Sequence, residues 1–264
     1  MPFSEVFAVS RKKWPAVLGL ILMTFLACSP LVLAQQSQPQ PQETPGMEDM
    51  PGMEMSAQPE TPAVQAKRLA DKRESEFNHH LAGALIVIAG FFLLMQDRLA
   101  KRWPGARYVW ASCFLLGGIY LALFSDTELW PVGHQPYWQT LATNPEDMQH
   151  KTYAIILLLL GVVELLRASG KLKAAWSGWV FPVLGVTGAI MLLFHHHSAG
   201  MHGPNHMAVM HHIMGEHRGF AAVGGGVALA NGLAELDTPL KKAFKILWPA
   251  LLIVLGILLM LYTE

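Results

Sequence analysis

Residues 151–173 read KTYAIILLLLGVVELLRASGKLK, an apolar run over 151–167 that closes on an arginine and two lysines. A run of this length sits near the lower limit of the roughly 17–25 residues that cross a bilayer as a helix. Its basic tail sets the orientation, because short loops rich in Lys and Arg stay in the cytoplasm. Further apolar blocks lie at 81–96, 108–124, 178–195, 217–235 and 246–262. Basic loops (Arg98, Lys101, Arg102 and Arg107; Arg167, Lys171 and Lys173; Lys241, Lys242 and Lys245) alternate with loops almost free of Lys and Arg. The pattern predicts an all-α fold: a polytopic membrane helix bundle of about six transmembrane helices.

Local signals refine that reading. Asn144 can cap the third span, Pro145 suits its first position, and Glu146 and Asp147 complement the helix dipole there. The fifth span carries Gly224, Gly225, Gly226, Asn231 and Gly232, small or polar residues that suit a central, closely packed helix. Trp103, Trp110, Trp176, Trp179 and Trp248 are expected at the cytoplasmic interface, with Trp130 and Trp138 near the opposite one. Glu164 and Arg167 stand at helical pairing distance and read as a structural ion pair, with Glu235 at the interface.

Upstream, Arg11, Lys12 and Lys13 precede the apolar run 15–28, and Val32-Leu33-Ala34 offers a cleavage site before Gln35. Residues 1–34 therefore read as a cleaved signal peptide. Cleavage would leave Cys113 as the sole cysteine, which excludes a disulfide framework and a Cys-rich metal site. Residues 35–62, rich in Gln, Pro, Glu and Met, read as a disordered tether. Residues 63–80 read as a periplasmic lead-in helix and 81–264 as the six-helix transmembrane domain. The expected location is the bacterial inner membrane, with the bilayer as surroundings. A chain with no net charge has no basic surplus for nucleic acid.

In this topology all twelve histidines fall on the periplasmic side, together with nine of the fourteen methionines. Imidazole and thioether are metal-ligand types, and thioether favours Cu(I). Three groups result. Met47, Met50, Met53 and Met55 lie in the tether beside carboxylates. His195, His196, His197, Met201 and His202 follow the fourth span. After the turn at 203–205, with Asn205 as a cap, a helix carries His206, Met207, Met210, His211, His212, Met214 and His217. Positions three and four apart on that helix make ladders of two or three ligands, and Glu216 can orient an imidazole. The third group is His79, His80, Met148 and His150 at other helix mouths, where His80, His150 and His217 could face one cavity. His134, in a loop beside Pro131 and Gly133, is the most dispensable member.

The helix mouths Asn78-His79-His80 and His150, with the Met/His helix from His206 to His217, resemble the copper resistance protein D family of bacterial inner-membrane proteins over about residues 75–262. They are more faintly similar to membrane factors that deliver copper to cytochrome oxidase, and the methionine run resembles the motifs of copper transporters. The resemblance implies acquisition of copper from the periplasm or delivery within it, and a periplasmic copper chaperone as partner.

Copper, favoured as Cu(I), is thus the expected ligand, held more weakly near pH 5.5 as imidazoles protonate. One alternative is a membrane b-type cytochrome, with haem b held by two of His80, His150, His196 and His217. Another is a non-catalytic scaffold or sensor partner. The chain has no phosphate loop with its lysine, no nucleophile elbow and no HExxH run. The expectation is a binding protein that is not an enzyme, with a haem oxidoreductase in reserve.

Overall fold

The computed structural model describes residues 61–194 and 206–263, with side chains in the last helical pair from residue 209 onward. The expected signal peptide (1–34), residues 35–60 of the expected methionine tether and residues 195–205 lie outside this range. All regular structure among the described residues is helical. In order it comprises α1 (Pro62–Leu99), α2 (Ala106–Phe124), α3 (Tyr137–Thr143), α4 (Pro145–Ala168), a 3-10 turn (Ala175–Trp179), α5 (Val180–Leu193), α6 (His206–Glu235) and α7 (Lys241–Met260).

The lead-in helix and first span are continuous. Thr61 caps α1 by accepting from the Val64 N–H at 3.4 Å, and Pro62 takes the first position. No Gly or Pro interrupts the register before the apolar block, so 38 residues run as one helix, about 57 Å at 1.5 Å per residue. Its polar half is braced by the loop after α2, through Lys67–Glu128 at 3.0 Å and Thr127 donating to Glu74 at 3.1 Å.

Six long helices close a ring in the order α1, α2, α4, α5, α6, α7 and back to α1. The α1–α7 seam is the tightest. A Cβ on Gly83 would lie 2.5 Å from the Gly256 carbonyl oxygen, and one on Gly256 2.7 Å from that of Gly83. Only glycine lets two backbones approach so closely. The expected central place of the fifth span is not what forms. α6 is a ring member between α5 and α7, turning Ile213, His217, Phe220, Val227, Asn231 and Ala234 inward as one buried stripe.

Trp110 of α2, Phe181 of α5 and Trp248 of α7 come from helices that are not ring neighbours, yet their rings meet at 5.2–6.1 Å, with Phe114 5.8 Å from Phe181. These aromatics fill the ring centre toward the end that carries the basic loops. Trp110 and Trp248 therefore belong to the core and not to an interfacial belt, whereas Trp103 is exposed.

Among the described residues four segments are long and apolar enough to cross a membrane: α1, α2, the 3-10 turn with α5, and α7. That is the composition of a multi-pass membrane protein. α4 and α6 have the length but not the purity. Lys151, Glu164 and Arg167 interrupt α4, and histidines, glycines and Asn231 dilute α6. Of the six spans expected from the sequence, four helices among the described residues meet the criterion on their own composition.

Candidate metal surface at the histidine end

One end of the ring carries the basic loops; the other carries His79, His80, His134, His150, His211, His212 and His217. At this histidine end α1, α6 and the residue just beyond α7 converge. His79 and His217 face each other with ring centroids 5.9 Å apart and planes at 88°. Each has Nδ1 2.8 Å from the carbonyl oxygen four residues back, Ser75 and Ile213 respectively. A carbonyl only accepts, so both rings donate from Nδ1. Tyr262, fully buried, stacks on His79 at 3.9 Å. Phe220 packs 5.8 Å from His217, itself 4% exposed. The result is a pair of oriented imidazoles in an aromatic enclosure.

His80 is engaged through its other nitrogen, Nε2 donating to the Tyr262 carbonyl at 3.0 Å. The ring thus brings His217 to His79; His80 is turned to the α7 terminus and His150 to a separate cluster.

That cluster joins the end of α2 to the start of α4. His150 Nδ1 lies 2.7 Å from Asp126 Oδ1, and Lys151 Nζ lies 2.8 Å from Asp126 Oδ2, with the Lys151 and Asp126 side chains each 8% exposed. Lys151 also donates to the Leu121 and Ala122 carbonyls at 3.4 and 3.1 Å and to Ser125 Oγ at 3.1 Å. It thereby satisfies terminal carbonyls of α2 and complements that helix's dipole. α4 starts as expected: Asn144 Oδ1 accepts from the Glu146 N–H at 3.1 Å, and Pro145 opens the helix.

Burial pushes the Asp126 carboxyl up, but His150, Lys151 and Ser125 outweigh it and hold the group below its ordinary range. Burial likewise pushes the His150 imidazolium down, yet Asp126, with Glu146 and Asp147, holds it above its ordinary range. Asp147 shows the opposite balance to Asp126. Burial, the Asp126 charge and Glu146 push it up to about 7 against the opposing pull of His150.

The remaining candidates divide. His211 and His212 are exposed on α6, and Glu216 Oε1 lies 3.7 Å from His212 Nε2. Met210 and Met214 are half-buried on the same helix. Met148 packs against the apolar core and does not join the surface. His134 is exposed on its loop. α6 begins at His206, directly after the expected cap, but the His206 and Met207 side chains lie outside the described set. So do Met47, Met50, Met53, Met55, His195, His196, His197, Met201 and His202. Among the described residues no three or more His, Cys, Asp or Glu side chains are grouped to hold a metal ion.

Sequence reasoning missed Asp126, Lys151 and Tyr262. The signal for Lys151 was present: a lysine opening an apolar block needs a buried partner. At the basic end, Arg167 donates to both Glu164 oxygens at 2.8 and 3.1 Å, as the spacing predicts. It also donates to Glu235 at 2.8 Å, so Glu235 ties α6 to α4.

Comparison with known protein families, curated proteins and solved structures finds no match.

Proposed function

We propose that this chain is an integral inner-membrane copper-binding protein that presents a His/Met surface to the periplasm for copper uptake, tolerance or delivery. The observation that carries the reading is the common posture of His79 and His217, each anchored through Nδ1 on the backbone carbonyl four residues back. Ligating histidines characteristically hold their second nitrogen in this way, which fixes the tautomer and aims the other nitrogen at the metal. The described residues supply two facing imidazoles, and the sequence is rich in thioethers of the kind that suit Cu(I).

In this reading all six long helices span the membrane after a cleaved signal peptide, and the basic loops lie in the cytoplasm. The charges inside the α4 run are compatible with that, because Lys151, Glu164 and Arg167 have oppositely charged partners. The resemblance of the Asn78-His79-His80 and His206–His217 stretches to the copper resistance protein D family, read from the sequence alone, suits the same role, with a periplasmic copper chaperone as proposed partner. The role is binding and transfer of the ion, without catalysis.

The test is metal content and the visible spectrum of the detergent-purified full chain. Copper bound at one equivalent or more, and reduced by His79→Ala with His217→Ala, supports the proposal. A chain that ignores added Cu(I), or one that shows a Soret band with sharp reduced bands, refutes it.

A further inference from the structure

Where the α1–α7 seam reaches the basic end it gathers cations without partners. Gly83 faces Gly256 and Met260, and Gly90 faces Pro249 and Ile253, so the two helices run antiparallel and in step. Carried on, that register sets Leu94 level with Leu247, and Arg98 level with the first turn of α7. That helix opens on Lys241 and Lys242, with Lys245 a turn further, and it has neither an acidic residue in its first turn nor a side-chain cap. Lysines at a helix start oppose the dipole, whose N-terminal end favours anions. α4 obeys that field with Glu146 and Asp147; α7 runs against it. Lys241 has Asp237 at 3.9 Å. Among the described residues Arg98, Lys101, Arg102, Lys242 and Lys245 form no ion pair, and the exposed Asp97 pairs with none of them.

One turn deeper the same outer surface is apolar. Phe91, Leu94 and Arg98 are all exposed and share one stripe of α1, and Leu247 is exposed on α7 at the level of Leu94. We propose that this outer face of the seam binds an anionic phospholipid of the basic-end leaflet, its phosphate between Arg98 and the Lys242–Lys245 turn and its acyl chains along Phe91, Leu94 and Leu247. The assignment requires a membrane-embedded chain and is independent of copper. A phosphate at that point neutralises unpaired cations and supplies the negative charge that the α7 start lacks. A zwitterionic lipid brings an ammonium of the wrong sign to the same place. An acidic segment of a soluble protein could meet the cations, but it has no use for the apolar lane beneath them.

Native mass spectrometry tests the site, with the full chain in mild detergent given equal amounts of phosphatidylglycerol and phosphatidylcholine. The unmodified chain should retain phosphatidylglycerol preferentially. Lys242→Gln with Lys245→Gln should weaken that retention roughly tenfold. Lys171→Gln with Lys173→Gln removes the same charge from the α4–α5 connection across the ring and should leave retention unchanged. All four lysines are exposed, so neither double variant disturbs the core. Equal retention of the two lipids, an equal loss in both variants, or undiminished phosphatidylglycerol in Lys242→Gln with Lys245→Gln would each overturn the proposal.

Discussion

Replacing Asp126 by alanine removes the carboxylate that neutralises Lys151 at a position where both side chains are 8% exposed. Truncating one partner of a buried pair costs about 3–5 kcal/mol, because the other charge is stranded. Here the stranded ammonium keeps the Leu121 and Ala122 carbonyls and Ser125 Oγ, so the lower end, ~3 kcal/mol, is expected. Removing the charge as well, in Asp126→Ala with Lys151→Met, should recover most of that loss. Apolar replacement of a whole buried pair is often neutral. A double-mutant cycle by steric trapping in micelles would then show a favourable coupling of roughly 2 kcal/mol, within the range for residues in contact. Additive losses, or an Asp126→Ala loss below about 1 kcal/mol, would refute the claim that this pair joins α2 to α4.

Three further outcomes are expected. The raised Asp147 carboxyl favours the fold at low pH, and its contribution is lost as pH rises from about 4 through about 7. The raised His150 acts in the same direction, its contribution present below its ordinary value and lost as pH climbs through the folded one. The unfolding midpoint should therefore drop between about pH 4 and about pH 7, and Asp147→Asn should shrink the drop; an unchanged slope counts against the assignment. Gly83→Val should destabilise by about 1–3 kcal/mol, since the new side chain meets the α7 backbone; thermal unfolding in detergent reads the loss. Tyr262→Ala removes the ring stacked on His79 and should weaken copper binding ~10-fold in a competition titration, as loss of an orienting neighbour does.

The helices were legible because hydrophobic blocks and caps act locally. Asn144-Pro145 marks a start wherever it occurs, and the Glu164–Arg167 pair needs one helical turn. The uninterrupted α1 was half-legible: Thr61-Pro62 announces its beginning, but residues 63–80 lack an apolar stripe that would join them to the span beyond. What failed was whatever depends on ring order. His79 and His217 meet only because α7 brings Tyr262 between α1 and α6. Neither the choice of His79 over its neighbour His80 nor the Asp126–Lys151 pair is written in any local pattern. Trp110 and Trp248 were misread for the same reason. Their places near helix ends suit an interface, and only the closure of the ring shows that they turn inward.

Those indoles carry a consequence for traffic. Trp110, Phe181 and Trp248 knit three non-adjacent helices across the ring toward its basic end. Under the proposed copper role, a path along the ring axis would have to part these edge-on and tilted ring contacts, so hand-over to a neighbour on the histidine face is the economical use of such an architecture.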